Sequence, residues 1–435
     1  MRILIRNARV VDPTLRYDDI ANIVIKDEFI EKVTNEPLDE ITGFDEVIDA
    51  KGLIAAPGLI DVHVHFRDPG LTYKEDIKTG AEAAAAGGYT TVVMMANTKP
   101  VIDNEDTLKY VYERAEEVSD SCPLHILSAV SVTKGLLGKE LSDTKKLVKL
   151  GAVGITDDGI SIMNENLLEE AFKSARALNV PISLHEENPE LISENGVNAG
   201  PVSKALGLKG SPREAEISMI ERDLPIAERT GVDVNIQHIS TKEGVELVRK
   251  ARKRQLDTTG ECHIHAEATP HHFSLTEEDV LKYKTLAKMN PPLRCEEDRL
   301  AIIEGLKDGT IEIIATDHAP HSKEEKERDF AKAPSGIIGL ETALSLGITN
   351  LVKKGHLSIT ELIEKMTVGP AKLYHLESGI AEGKRADIVL FDPDEEWVVN
   401  DFASKADNSP FKGCRLQGVV KTTICSGRIS YNKKE

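Results

Sequence analysis

In the stretch "DVHVHFRDPG", residues 61 to 70, two imidazoles stand two positions apart and a guanidinium follows. His63 and His65 would share one face of an extended chain. Further polar residues follow apolar runs in the same way: Asn97 in "MMANTKP", Asp157 and Asp158 in "GITDDG", His185 in "SLHEEN", His238 in "NIQHIS" and Asp317 in "ATDHAPH". A lone His-x-His is equally well explained by backbone hydrogen bonds at a strand end. Joined by two more imidazoles and carboxylates, and without thiolates, it suits Zn²⁺, with Fe²⁺, Co²⁺ or Mn²⁺ as substitutes. Four histidines and one or two aspartates exceed what a single catalytic zinc needs, so a two-metal site with one bridging carboxylate is expected. The bridge candidate lies in "GITDDG", and the other acid of that pair is expected to serve a turn and a helix N-cap.

Arg67 taken alone reads as a solvated loop residue. Beside a metal site it becomes a candidate for bidentate capture of a carboxylate. Asn97 and Asn290 offer amide hydrogen bonds, and two prolines stiffen the loop "KMNPPLR" that presents Asn290. The charged stretch "HSKEEKERDFAKAPSG", 321–336, reads either as a solvated loop or as a mobile lid. The histidines at 125, 263, 265, 271, 272, 318, 356 and 375 are assigned no place among the ligands.

Something must bring these residues together. Between about 56 and 370 the chain alternates eight short apolar runs with helical patterns. The runs are "GLIDVHVHF", "TTVVMMAN", "LHILSAV", "GAVGITDD", "PISLHEE", "DVNIQHIS", "HIHAEATPHH" and "IEIIATDHAPH". Segments such as "EDIKTGAEAAAAGG" and "MNENLLEEAFKSARALN" have helical periodicity and end at Gly or Asn. Eight β/α units over roughly 300 residues predict a (β/α)8 TIM barrel, whose active sites form at the C-terminal ends of the strands. An open doubly wound sheet is the alternative, but no Gly-rich phosphate loop supports it. Strand-like stretches flank this middle: "ILIRNARVV", "ANIVIKDEFIEKV" and "EVIDAKGLIAAPG" at the start, "ADIVLFDPDEEWVV" and "GVVKTTICSGRISY" at the end. They predict a smaller β-sandwich built from both termini, residues 1–55 and 371–435, around a hydrolase domain at 56–370.

The 435 residues carry a formal charge of −19, which argues against nucleic acid or an anionic membrane as partner. It leaves room for a small anion held by one local arginine. The start "MRILIRNARVVD" is interrupted by charge and does not read as a signal peptide, and no run of about 18 apolar residues could span a bilayer. Five scattered cysteines, never spaced C-x-x-C, are expected to be reduced thiols of a cytoplasmic protein.

The motifs "DVHVHFRDPG", "MMANTKP", "GITDDG", "SLHEEN", "NIQHIS", "EATPHH", "KMNPPLR", "ATDHAPH" and "GLETA", in this order and over essentially the whole chain, resemble those of the cyclic amidohydrolases and their dihydroorotase branch. The resemblance implies that His63, His65 and Asp317 hold one zinc and that His185 and His238 hold the other. The family's bridge is a carboxylated lysine or, in one branch, the second Asp of T-D-D-G; no lysine stands there, so Asp158 takes that role. Arg67, Asn97, Asn290 and His321 are the implied substrate contacts, with backbone help from the loop before Gly339. Asp68, where Glu is usual, and Glu186, where Cys is common, depart from the pattern without touching a ligand position.

The implied reaction is reversible cyclisation of N-carbamoyl-L-aspartate to dihydroorotate plus water in pyrimidine synthesis, with Asp317 as the proton-transferring residue. Allantoinases carry Asn where this chain has Arg67, and dihydropyrimidinases lack an arginine there. A sister enzyme acting on hydantoins or allantoin, and a non-catalytic scaffold, are the competing readings; the scaffold is disfavoured because all six ligand positions are filled. The partner implied is a small-molecule substrate, with a homo-oligomer or association with aspartate carbamoyltransferase left open.

Overall fold

The computed structural model describes residues 1–36 and 43–433; positions 37–42 and 434–435, within the terminal segments expected to form the sandwich, lie outside the described residues. Five strands come first: β1 (Arg2–Asp12), β2 (Tyr17–Lys26), β3 (Phe29–Thr34), β4 (Glu46–Asp49) and β5 (Ile54–Pro57). Eight follow, separated by helices: β6 (Leu59–Val64), β7 (Tyr89–Met94), β8 (His125–Val130), β9 (Gly154–Thr156), β10 (Ile182–Leu184), β11 (Val234–Ile236), β12 (Ile264–Ala268) and β13 (Ile313–Ile314). Three close the chain: β14 (Ile388–Val398), β15 (Arg415–Cys425) and β16 (Arg428–Asn432).

Strands β6 to β13 pair in sequence order, all in parallel. Seven of the eight predicted runs contain one of them whole, and "TTVVMMAN" misses only Tyr89, the first residue of β7. Helices cover the outside, so most strand residues are buried whichever way they point, and the runs read as continuously apolar. The ring closes just past the strand ends. His65 N donates to His318 O at 2.9 Å, and Val64 bridges His318 in parallel. Asp61, lifted to about 7 by burial, accepts from the backbone of His63 at 3.0 Å and of Thr316 at 3.2 Å. One carboxyl group thereby ties the first barrel strand to the last.

The crossover helices begin and end where their sequences direct. Asp76 caps the helix Ile77–Ala86 in a capping box with Thr79, and Asn164 caps Glu165–Leu178 through the amides of Asn166 and Leu167. Asn179 ends the second helix with a left-handed backbone, φ 55°, a conformation Asn tolerates better than most residues.

The terminal strands form one continuous sheet in the order β16-β15-β14-β5-β1-β2-β3, with β4 also on β1. The run "ANIVIKDEFIEKV" is a hairpin, not a single strand, because Asp27 turns it with φ 54°. Alternation sorts the two faces of the sheet. Ala55, Ile388 and Leu390 pack with Ile3, Ile5 and Ile23, whereas Ile54, Ala56, Val389 and Phe391 join the core shared with the barrel. Fully burying one such aliphatic side chain is worth roughly 1.5–3 kcal/mol, so the second face anchors the sheet on the barrel.

Candidate active site

His63 lies near the end of β6, and His65 just beyond it. Asp158, His185, His238 and Asp317 follow the ends of β9, β10, β11 and β13 within three residues. All six therefore gather at one rim and are buried. Asp158 stands at the centre. Its Oδ1 lies 3.3 Å from His63 Nε2, 3.8 Å from His238 Nε2 and 4.0 Å from His185 Nδ1, and its Oδ2 lies 3.4 Å from His65 Nε2. Asp317 Oδ1 sits 3.0 Å from His65 Nε2 and 3.5 Å from His63 Nε2. His185 Nδ1 and His238 Nε2 face each other at 3.0 Å. Two groups at this rim have ligand atoms all within 4.8 Å of one another: His63, His65 and Asp317, and His63, Asp158 and His238.

The donor chemistry fits divalent cations. A neutral imidazole has one N–H. In His63 it donates from Nδ1 to Glu267 Oε1 at 2.5 Å, and in His65 from Nδ1 to Asn97 Oδ1 at 2.8 Å. Each Nε2 lone pair is then aimed at carboxylate oxygens, and His63 Nε2 is buried without a hydrogen-bond partner. Lone pairs and anions so placed repel unless a cation lies between them. The cluster is also strongly polarised. With no cation between them the imidazoles would carry the charge themselves. Burial lowers the pKa of His63, but Glu267 and Asp158 outweigh it and raise it well above the usual value. Burial raises the Asp158 carboxyl, but a protonated His63 leads the neighbours that outweigh it and hold it well below the usual range. Asp317 is lowered in the same way, chiefly by His65 and His63 against its burial. Three residues at this rim, Arg67, His238 and Asp317, have φ of 60°, 33° and 50°, a region non-glycine residues rarely occupy.

Several supporting residues carried no weight in the sequence reading. Glu267, on β12 and fully buried, orients His63 and also accepts from Asn235 Nδ2 at 2.9 Å and His238 N at 3.3 Å. Glu187 accepts from His185 Nε2 at 3.2 Å and from Ser211 Oγ at 3.1 Å. A carboxylate in the middle of the apolar strand "IHAEA" was the available clue to Glu267. Asp157 needs a correction. It caps no helix, since Asn164 does that; it accepts from Thr133 N at 3.0 Å and from the Thr133 hydroxyl, pinning the neighbouring loop. Burial lifts it to about 6.

A cavity of about 420 Å³ opens over the cluster, lined by His65, Arg67, Asn97, Asn290, His321 and the segment 331–336. Arg67 donates from Nε to Pro320 O at 3.3 Å. Among the described residues no carboxylate lies within 4.0 Å of its guanidinium, which leaves the outer nitrogens for a ligand. His321 is already engaged: Nε2 donates to Ser335 O at 2.8 Å and Nδ1 lies 3.3 Å from Lys74 Nζ. Burial with Arg67 and Lys74 nearby pushes it down to about 2, so it is neutral. The Asn97 amide donates to Asp158 Oδ2 at 3.1 Å, and Asn290 Nδ2 lies 3.3 Å from His185 Nε2; both side chains touch the ligand cluster as well as the cavity.

An eight-stranded parallel barrel with a histidine and aspartate cluster at its C-terminal rim defines a class of metal-dependent hydrolases. A sequence model of the amidohydrolase family matches residues 54–430, and the chain belongs to that family. It is 57% identical over 431 residues to a dihydroorotase of Clostridioides difficile, covering 99% of this chain and 100% of that one. It is 50% identical over 438 residues to a dihydroorotase of Clostridium acetobutylicum, again covering 99% and 100%. Among solved structures it resembles the L-hydantoinase (dihydropyrimidinase) of Arthrobacter aurescens, with TM-score 0.86 at 26% identity over 100% of this chain and 96% of that one. The dihydropyrimidinase of Brevibacillus agri, with TM-score 0.83 at 23% identity over 100% and 96%, shares the fold.

Proposed function

We propose that this chain is a dihydroorotase, interconverting N-carbamoyl-L-aspartate with (S)-dihydroorotate and water in de novo pyrimidine synthesis. Arg67 carries the reading: a guanidinium without a carboxylate partner, at the mouth of a cavity floored by histidines and aspartates. A substrate with a carboxylate beside its cyclic amide supplies what that guanidinium lacks; a neutral hydantoin ring does not. The full-length dihydroorotase relatives support the same substrate.

In this reading His63, His65 and Asp317 would hold one zinc ion and His185 and His238 a second, with Asp158 as a further ligand. Bound zinc supplies Lewis acidity toward the ring carbonyl and makes water more acidic. Arg67 binds the substrate carboxylate, Asn97 and Asn290 orient the ring over the cluster, and His321 contacts the substrate only if Lys74 releases its Nδ1. In the hydrolytic direction water adds to the ring carbonyl carbon C4 and the N3–C4 bond breaks. Asp317 takes the proton from the attacking water at a carboxylate oxygen and delivers it to the departing nitrogen. The segment 331–336 limits solvent access from above.

We assign this catalysis to residues 56–370, with 1–55 and 371–435 as the supporting β domain. No described helix is long and apolar enough to cross a membrane. We place the enzyme in the cytoplasm, with self-association or association with aspartate carbamoyltransferase left open.

The test compares turnover of dihydroorotate and carbamoyl aspartate with that of hydantoin and allantoin, alongside a metal-to-protein ratio. Arg67→Ala is expected to damage only the first pair. Equal turnover of neutral rings, unaffected by that substitution, would transfer the assignment to a sister amidohydrolase.

A further inference from the structure

The segment 323–336 contributes to two cavities: residues within 323–330 line an outer one and residues 331–336 the catalytic one. Its outer cavity, about 730 Å³, is larger than the catalytic one and falls in the range of small-molecule sites. Tyr283, Leu286, Phe330 and Pro410 supply apolar and aromatic walls. Charge gathers at the rim. Lys412 pairs with Asp407 at 2.6 Å, and Lys323 with Glu327 at 3.7 Å. Lys284 and Arg328 also line the cavity, and among the described residues no carboxylate lies within 4.0 Å of either. Lys326, buried, lines it too without a carboxylate but donates to Pro334 O and Gly336 O, both at 3.0 Å. Lys284 and Arg328 are therefore the exposed uncompensated cations here, on a chain of net charge −19. Lys284 is held there by a backbone at φ 53°, ψ −128°, an unfavourable conformation for a non-glycine residue.

The outer cavity is mechanically joined to the inner one. The Phe330 ring lines the outer cavity and lies 5.2 Å from Lys288 Nζ, within cation–π range. Lys288 is buried, lines the catalytic cavity, and donates to Phe330 O and Ala333 O, both at 2.7 Å. Anything pressing on Phe330 therefore presses on the wall of the catalytic cavity.

We propose that the outer cavity is a second, non-catalytic site for a small anion with a flat aromatic body, and that its occupant stiffens the segment 323–336 through Phe330 and Lys288. Tyr283 and Phe330 would take the aromatic body, and Lys284 and Arg328 the anionic group.

The probes are 8-anilinonaphthalene-1-sulfonate and its uncharged analogue N-phenyl-1-naphthylamine, titrated by fluorescence into the full chain. The sulfonate is expected to saturate one site per chain. The Lys284→Ala/Arg328→Ala double variant, altered only at exposed side chains, should weaken the sulfonate at least about tenfold, the least that losing one contact to a charged group implies, and leave the neutral analogue nearly unchanged. Phe330→Ala should weaken both. Absence of saturable binding, or equal sulfonate affinity in the double variant, overturns the site. Amide hydrogen exchange at 327–336 should slow when the sulfonate binds the parent chain but not the double variant; unchanged exchange in the parent overturns the coupling. Neither readout uses turnover, so both stand or fall apart from the catalytic assignment.

Discussion

Removing Glu267 should loosen the metal centre without touching a ligand. Its carboxylate receives the His63 Nδ1 proton at 2.5 Å, Asn235 Nδ2 at 2.9 Å and His238 N at 3.3 Å, all in the interior. Glu267→Leu leaves these donors without an acceptor and frees His63 to carry its proton on Nε2, the nitrogen that faces Asp158 and Asp317. A protonated Nε2 cannot ligate a metal. Loss of such an outer partner typically weakens metal affinity about 10–100-fold, or roughly 1.4–2.8 kcal/mol. Losing a hydrogen bond to a charged group adds about 1.5–3 kcal/mol of destabilisation. Glu267→Gln keeps an oxygen for His63 once the Asn235 amide rotates, so it should fall between parent and Leu. Competition against a chromophoric chelator gives the affinity, and circular dichroism verifies the fold. A folded Leu variant that holds metal as tightly as the parent would refute the claim that Glu267 sets the His63 tautomer.

Asp317→Asn should lower kcat by about 10²–10⁴, the usual worth of a positioned proton-transfer group; near-normal turnover with metals still bound would remove Asp317 from that role. Arg67→Ala should reduce kcat/KM for dihydroorotate by about 10²–10⁴, as expected for losing two hydrogen bonds to a charged group, while leaving the metal content unchanged by elemental analysis. Burial raises Glu312, but His265 and Arg252 outweigh it and bring it down to about 2, from an ordinary 4.5. A depressed acid contributes stability above its unfolded pKa and loses it as pH falls through the folded one. The contribution, about 3 kcal/mol, should therefore disappear between pH 4.5 and 2, and Glu312→Gln should flatten acid unfolding across that window in denaturant titrations.

The comparison between linear pattern and folded molecule turns on chemical type and distance. Apolar runs interrupted by Gly, Asn and Asp were enough to read eight β/α units, because buried parallel strands and capped helices leave local signatures. The terminal strands were legible for the same reason, though a single left-handed residue, Asp27, divided one apparent strand into two. The six candidate ligands were readable from residue type and their repeated position after strands. Their convergence on the Asp158 carboxylate required the closed barrel, which brings together atoms that a linear pattern cannot rank by distance.

Chain chemistry by itself determined that this is a β/α barrel with an imidazole and carboxylate cluster and an arginine beside it. Tertiary structure decided which side chains serve that cluster. Glu267 reaches His63 across 204 residues of sequence, and Glu187 rather than its neighbour Glu186 turns toward His185. It also decided that Asp157 faces Thr133, that Arg67 lines the cavity with no carboxylate beside it among the described residues, and that the segment 323–336 contributes to two cavities. Hydrogen-bond partners and unpaired charges depend on where distant backbone segments come to rest, and that is set by packing of the whole chain.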